Sequence, residues 1–284
     1  MGGRSATAKR VQARPAVRIG FIGGGNMATA MIKGFVVAGL YRPEQIVVSD
    51  VDAGKRAALA RRLKGAATGD NDAVVRAAPV LVLAVKPQIM ESVLAELRAG
   101  LTPRHLVVSI AAGWPTARLE RGLGGGARVV RVMPNTPALL GKGMAVAVRG
   151  RHATAADERL VLRLLRTVGR ARAVADERLL DAVTGLSGSG PAYVYLFAEA
   201  LLAGGIAVGL APDAAHELAL QTITGAAAML QESGDSPAAL RAAVTSPNGT
   251  TLAGLTEMER LGFGAAVQAG VAAATRRAEE LGRE

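Results

Sequence analysis

A glycine-rich loop lies between the first apolar run of this chain and its first helical segment. The run Ile19-Gly20-Phe21-Ile22 is followed directly by Gly23-Gly24-Gly25-Asn26-Met27-Ala28. The glycines permit a tight turn and a close approach of the backbone to a pyrophosphate, which then lies at the positive end of the next helix. Tight packing also favours glycine, so the motif alone is weak. Its place at the opening of a strand–helix–strand unit nevertheless predicts dinucleotide binding.

Short apolar runs alternate with helical periods over the first part of the chain, which predicts an α/β domain with a doubly wound, mostly parallel sheet. Weaker strand signals at 144–148 and 171–174 flank a helix at about 153–167 and extend this sheet. The main strands are expected at 17–22, 46–49, 80–85, 106–110 and 129–132, and the helices at 25–38, 53–63, 88–97 and 116–121.

The strand signal stops near residue 175, and the remainder reads as helices that begin at Pro191, Pro212 and Pro237, since Pro suits a first helical turn. We expect a disordered basic tail over 1–14, a dinucleotide-binding domain over 15–177 and an all-α domain over 178–284. With 3% aromatic residues, the helical domain should complete its core with a second subunit, as a homodimer or a larger homo-oligomer.

Composition excludes several classes of function. The chain has no Cys, which rules out disulfides, thiolate metal sites and Cys nucleophiles and fits a cytoplasmic location. The net charge of +11 is partly due to the tail and otherwise scattered, so we expect no nucleic-acid partner. No apolar run approaches the length of a membrane span, and no signal peptide is evident, although a short transit peptide is an alternative for the tail. Three dispersed histidines predict no metal site: His105, His152 and His216.

The residues after successive strands are candidates to line the cofactor, because the carboxyl ends of parallel strands share one edge. At the second strand, Asp50 could accept bonds from a ribose 2′-hydroxyl, whereas Lys55 and Arg56 could pair with a 2′-phosphate. The choice between NAD and NADP therefore stays open at this point. The other candidates are Ser49, Ala84, Val85, Lys86, Pro87, Ala111, Ala112, Asn135, Thr136 and Pro137.

A polar turn late in the chain, Thr245-Ser246-Pro247-Asn248-Gly249-Thr250-Thr251, separates two helical segments. Gly249 permits a close backbone approach, and the following helix offers its N-terminal N–H groups. The turn is therefore a candidate anion and hydrogen-bond site. Thr251 could act there as a donor, or it could be a helix cap or a buried hydroxyl.

The chain closely resembles the pyrroline-5-carboxylate reductases, the last enzymes of proline biosynthesis. The resemblance runs from about residue 17 to 280 and rests on residues 21–28, 84–87, 135–137, 181–193 and 244–251. It implies an oxidoreductase with an N-terminal Rossmann domain and a helical domain that interleaves with its partner in a dimer. The implied reaction is hydride transfer from NADPH, with NADH possible, to a cyclic imine.

The resemblance also implies roles for individual residues. Ser246, Pro247, Asn248, Gly249 and Thr250 would bind the substrate carboxylate, and the Thr251 hydroxyl would bond the ring nitrogen. Asn71 would lie near the adenosine ribose, and Lys86 beside the cofactor rather than as an acid. The chain departs from this family pattern at three positions. Asn248 and Thr250 stand where relatives often have Gly and Ala, and Asp50 stands where some relatives have a Ser that suits NADPH.

Two rival functions remain at this stage. A β-hydroxyacid dehydrogenase also joins such domains, but it needs a Lys on the helix that opens the second domain, and residues 184–210 contain none. A non-catalytic dinucleotide-binding protein would keep the fold without the reaction. The intact polar turn argues against it.

Overall fold

A computed structural model of the chain describes residues 19–63 and 66–283. It divides into two compact units, the first formed by residues up to Leu180 with those from Leu281 onward, and the second by Asp181–Glu280. The expected disordered tail and the first two residues of the first predicted strand lie outside the described residues.

The first unit is an eight-stranded sheet in the order β3-β2-β1-β4-β5-β6-β7-β8. All neighbours pair in parallel except β6 and β7, which confirms the doubly wound, mostly parallel sheet. The strands are β1 (Ile19–Ile22), β2 (Ile46–Ser49), β3 (Ala66–Thr68), β4 (Val80–Leu83), β5 (Leu106–Ser109), β6 (Arg128–Met133), β7 (Gly143–Arg149) and β8 (Gly169–Ala173).

Helices cover both faces of this sheet, so its central strands are buried on both sides. Phe21, Ile32 and Phe35 belong to one core, while Leu81 and Leu97 belong to the core on the other face. Each core lines up with the alternate side chains of the strands. The helices are α1 (Asn26–Val37), α2 (Ala53–Leu63), α3 (Asn71–Ala77), α4 (Met90–Leu97), α5 (Thr116–Gly122) and α6 (Ala155–Leu165).

The structure differs from the sequence expectation at the edges of the sheet. The short strand β3 and helix α3 were not predicted, although Asp70 caps α3 by accepting the Ala73 N–H at 3.1 Å. β4 ends at Leu83, so Ala84 and Val85 lie in the loop beyond it. β7 is antiparallel to β6 because only a short 3₁₀ turn, Thr136–Leu140, joins the two strands, whereas a parallel pair needs a longer crossover.

The second unit is helical, and helices begin where Pro191, Pro212 and Pro237 predict them. Ser236 caps the third of these helices by accepting the Ala239 N–H at 3.1 Å. The helices from the domain junction onward are α7 (Leu179–Val183), α8 (Gly190–Ala207), α9 (Pro212–Glu232), α10 (Pro237–Ala243), α11 (Thr250–Arg260) and α12 (Phe263–Arg283), with a π-helical turn at Thr184–Gly188 between α7 and α8.

Apolar side chains on these helices are largely exposed in the single chain. Leu196 in α8 is 66% exposed, and Val208, directly after α8, is 82% exposed. The helical stretch Leu179–Ala207 is long and apolar enough to cross a membrane by length and composition alone. This differs from the expectation that no segment approaches such a length. An apolar surface of this kind requires a covering partner.

Candidate active site

The glycine loop, which follows β1, lies between the ends of β2 and β4, the two neighbours of β1 in the sheet. The Gly23 N–H donates to the Ser49 carbonyl oxygen at 2.8 Å. Gly23 has φ +98°, and a Cβ at this residue would stand 2.7 Å from the Ala84 carbonyl oxygen. Both the left-handed backbone and the close approach to Ala84 therefore require glycine at this position.

The helix that follows the loop begins without a side-chain cap. Its N-cap is Gly25, and Thr29 N–H donates to the Gly25 carbonyl oxygen at 3.0 Å. The N–H groups of Asn26, Met27 and Ala28 precede this first intrahelical bond and are left without partners in their own helix. They form the positive end of the α1 dipole, which suits a pyrophosphate.

Asp50, directly after β2, is fixed by two backbone donors. One carboxylate oxygen accepts the Gly24 N–H at 2.9 Å, and the other accepts the Asp52 N–H at 2.9 Å. Asp52 in turn accepts N–H bonds from Gly54 at 2.7 Å and Lys55 at 3.1 Å. These bonds, that from Lys55 foremost, hold the pKa of the Asp52 carboxyl below its ordinary value.

Arg56 brings a cation to the same corner of the sheet. One guanidinium nitrogen donates to the carbonyl oxygens of Asp50 at 2.9 Å and Val51 at 3.0 Å. Lys55 is exposed on the same helix. The structure thus places the Asp50 carboxylate and the anchored Arg56 guanidinium together beyond β2. The choice between NAD and NADP stays open, as it did in the sequence.

Asn71, the first residue of α3, contacts the end of β2. The Ser49 hydroxyl donates to the Asn71 side-chain oxygen, and the Asn71 amide donates to the Glu96 carboxylate at 2.8 Å. Sequence reasoning missed Glu96, since no spacing or motif connects it to a residue 25 positions earlier. The contact orients Asn71 at the edge where the glycine loop lies.

The loops after β4, β5 and β6 share this edge because the three strands run parallel to β1. Ala84 N–H donates to the Ile22 carbonyl oxygen at 2.8 Å, while Lys86 is exposed and Ala111 is buried. After β6, the Asn135 side-chain oxygen accepts the Met144 N–H at 2.8 Å. The predicted residues at 84–87, 111–112 and 135–137 therefore gather at one edge.

The polar turn of the second unit ends in a helix N-terminus that carries no side-chain cap. Gly249 is the N-cap of α11, and Ala253 N–H donates to the Gly249 carbonyl oxygen at 3.2 Å. The N–H groups of Thr250, Thr251 and Leu252 precede this bond and have no partner within the helix. An exposed cluster of backbone donors results, as the sequence predicted for an anion site.

The side chains around this turn are arranged for access. Asn248 has φ +59°, the one non-glycine residue with positive φ among those described. Asn suits this position because it tolerates the left-handed region better than most residues. Thr251 is exposed, and no hydrogen bond joins its hydroxyl to any other described residue. In the single chain Thr251 is therefore neither the N-cap of α11 nor a buried hydroxyl.

The string 184–193 contains a widened helical turn. The π turn Thr184–Gly188 leaves the Gly185 carbonyl oxygen free to accept the Tyr193 hydroxyl at 3.0 Å. A Cβ at Gly185 would collide with the Thr275 hydroxyl and stand 2.7 Å from the Val271 carbonyl oxygen. The glycine is thus required by close packing against α12.

A buried histidine in the first unit has a structural role. His105 is 3% exposed; one ring nitrogen accepts the Thr102 N–H at 2.9 Å and the other lies 3.1 Å from the Val75 carbonyl oxygen. Both nitrogens are therefore occupied by backbone groups. Among the described residues, no group of three or more His, Asp or Glu side chains could hold a metal ion.

A doubly wound sheet with a glycine loop opening onto an uncapped helix, in a chain that continues into an all-helical unit, defines a two-domain oxidoreductase that binds a nicotinamide dinucleotide. Two family models match it. One, described as NADP oxidoreductase, coenzyme F420-dependent, covers residues 18–113; the other, pyrroline-5-carboxylate reductase dimerisation, covers residues 177–281. The chain belongs to the pyrroline-5-carboxylate reductase family.

Individual relatives agree with this assignment. The pyrroline-5-carboxylate reductase of Methanosarcina acetivorans is 42% identical over 94% of this chain and 98% of its own length. The pyrroline-5-carboxylate reductase of known structure from Coxiella burnetii is 36% identical, with a TM-score of 0.87 over 94% of this chain and 99% of that one. A Plasmodium falciparum pyrroline carboxylate reductase with NADP bound is 30% identical, with a TM-score of 0.84 over 94% of this chain and 98% of that one.

These findings confirm the resemblance seen in the sequence and favour the reductase over the two rival functions. They also account for the exposed apolar helices, which lie within the dimerisation family model. The chain therefore forms a homo-oligomer. The nicotinamide dinucleotide is the expected cofactor class.

Proposed function

We propose that this protein reduces 1-pyrroline-5-carboxylate to L-proline by hydride transfer from NADPH, the last step of proline biosynthesis, and that it does so in the cytoplasm. The observation that carries the proposal is the uncapped N-terminus of α11, with Gly249 as its N-cap and an exposed Thr251 hydroxyl. The family membership supplies the identity of the substrate, and the absence of Cys supports the location.

The turn is suited to a carboxylate. The backbone N–H groups at the start of α11 carry the positive end of the helix dipole, which stabilises a bound anion. The Ser246 hydroxyl and the Asn248 amide are exposed beside them and can donate further hydrogen bonds. Gly249, with no side chain, lets the substrate approach the backbone closely.

The Thr251 hydroxyl then serves the reacting bond. When bound, the dinucleotide supplies a hydride to the imine carbon. The ring nitrogen gains a proton in the same reaction, and a hydroxyl donating to that nitrogen orients it and stabilises its changing charge. Thr251 is the catalytic residue in this proposal. The reaction requires no covalent intermediate with the protein.

NADPH is favoured over NADH by the cations beyond β2. The Arg56 guanidinium, anchored on the carbonyl oxygens of Asp50 and Val51, has donors to spare for a 2′-phosphate, and Lys55 adds charge. The family model for NADP oxidoreductases and the NADP-bound relative support the same choice. NADH is the second candidate, because the Asp50 carboxylate can accept a bond from a 2′-hydroxyl.

Steady-state rates with 1-pyrroline-5-carboxylate and each cofactor in turn test the proposal. We expect oxidation of both, with the higher kcat/KM for NADPH. Absence of substrate-dependent oxidation of either cofactor would contradict the reductase activity. A preference for NADH that disappears in Asp50→Ser would leave the activity intact and show that the choice of NADPH is wrong.

A further inference from the structure

A pocket between α4 and α5 of the first unit is lined by three arginines. Its volume is about 500 Å³, and Arg98, Arg118 and Arg121 line it together with Glu91, Leu94 and Trp114. None of these residues belongs to the glycine loop or to the loops assigned to the cofactor. The pocket therefore has no part in the proposed reaction.

The three guanidinium groups lack acidic partners. None of them forms an ion pair with any residue that the structure describes, and Glu91 is the one acid in the pocket lining, which leaves an excess of two positive charges. Arg118 instead lies over the Trp114 ring, with its Cζ 3.9 Å from the ring centroid. Like charges gathered in this way repel one another unless an anion separates them.

Helix stabilisation explains only part of this cluster. Arg98 directly follows α4 and Arg121 lies in the last turn of α5, where a cation interacts favourably with the helix dipole. Arg118 is the third residue of α5, near the end where a cation is unfavourable. Its place next to two further arginines thus calls for another explanation.

The floor of the pocket is fixed. Trp114 is 5% exposed, and its indole N–H donates to the Pro87 carbonyl oxygen at 3.1 Å. Leu94 is 2% exposed beside it. The stacked Trp114 ring holds Arg118 in place, so the cost of ordering at least one guanidinium is met before a ligand arrives.

We propose that this pocket binds a small phosphate-bearing anion. The planar guanidinium fork bonds two phosphate oxygens at once, and three forks from two helices surround an opening of the size that small ligands occupy. The site would lie outside the active site, and Trp114 would connect it to the loop that contains Pro87.

The single Trp of the chain is Trp114, so intrinsic fluorescence reports on this pocket directly. The probe is inorganic pyrophosphate, titrated into the dimeric enzyme saturated with NADP⁺ so that the glycine loop is already filled. We expect a saturable change in fluorescence, and calorimetry on the same samples should give one site per chain. Sodium chloride at matched ionic strength should produce neither signal.

The double variant Arg98→Gln/Arg121→Gln should bind pyrophosphate roughly 10- to 100-fold more weakly, the loss typical of hydrogen bonds to charged groups. The matched control is Arg163→Gln, which removes an exposed charge from α6 and should leave the affinity unchanged. Absence of saturable heat, or equal affinities in the double variant and the control, would overturn the site. Citrate binding as tightly as pyrophosphate would overturn the assignment to phosphate. None of these measurements depends on catalysis. Absence of the proposed reductase activity would therefore not change their results, and the two failures can be told apart.

Discussion

The carboxylate of Asp50 accepts a hydrogen bond from the Gly24 backbone N–H at 2.9 Å, which joins the end of β2 to the glycine loop. Asp50→Asn replaces one acceptor oxygen by a donor and removes the charge. We expect the affinity for NADH to fall roughly tenfold, and that for NADPH to fall less because repulsion of the 2′-phosphate is relieved. Dissociation constants from fluorescence titration measure this, with Asp72→Asn as the exposed-acid control. Equal losses for both cofactors would count against a role at the ribose.

Arg56 provides the complementary prediction. In Arg56→Gln the affinity for NADPH should fall roughly 10- to 100-fold, since the 2′-phosphate loses a charged partner, whereas NADH should be unaffected. Arg61→Gln is the matched control, because Arg61 is exposed on the same helix. If Arg56→Gln lowered the affinity for NADH as strongly as that for NADPH, the guanidinium would stabilise the loop after β2 and would not bind the 2′-phosphate.

The Thr251 hydroxyl should matter for turnover more than for folding. Thr251→Ala should lower kcat by roughly 10²-fold, as is typical for loss of one well-placed donor, while Thr251→Ser should restore most of it. Thr256→Ala is the control, because that hydroxyl donates to the Leu252 carbonyl oxygen of its own helix at 2.8 Å. Wild-type kcat in Thr251→Ala, with dimer formation checked by light scattering, would exclude the assigned role.

Asn248 should be replaceable by Gly but not by Ala. At φ +59° Asn is tolerated better than Ala because its short polar side chain can bond locally to the backbone. Asn248→Ala should therefore lower the free energy of unfolding by a part of the roughly 1–2 kcal/mol that the left-handed region costs a residue with a β-carbon, and raise KM for the pyrroline. Asn248→Gly removes the steric cost and should keep both values near wild type. Urea unfolding and initial rates measure the pair. A stable, fully active Asn248→Ala variant would speak against any constraint at this position.

Glu177 should be a major contributor to the stability of the first unit. Its carboxylate accepts the Thr116 N–H at 2.8 Å, the Thr116 hydroxyl at 2.6 Å and the buried Arg131 guanidinium at 3.0 Å. Glu177→Ala should cost about 2–3 kcal/mol. Glu158→Ala breaks a more exposed ion pair, with Arg149, and should cost less than about 1 kcal/mol. Similar midpoints of urea unfolding for the two variants would contradict the network.

The sequence predicted the interior of the sheet better than its edge. β1, β2, β4 and β5 consist mostly of apolar residues and are buried on both faces, and such runs are visible without a structure. β3 reads Ala-Ala-Thr and pairs only with β2, so its composition carries little strand signal. The direction of β7 depended on the length of a connection, which hydrophobic patterning does not encode.

The same division holds for the candidate site. The glycine loop and the polar turn could be predicted because their conformations depend on local residue types, above all Gly23 and Gly249. The contacts that orient them are tertiary, as between Asn71 and Glu96 or Trp114 and Pro87. Residues far apart in the sequence give no local pattern, and only the fold brings them together.

The π turn at Thr184–Gly188 determines the direction in which the side chains of α8 point around the helix axis. Each residue of an α-helix advances the side-chain direction by about 100°, and a π turn accommodates one residue more than an α-helical turn. Loss of a single residue there would therefore let the helix close regularly and would rotate α8 by about that angle. The exposed apolar side chains of α8, such as Leu196, would then point in other directions. The spacing of this segment therefore bears on assembly as much as its composition does.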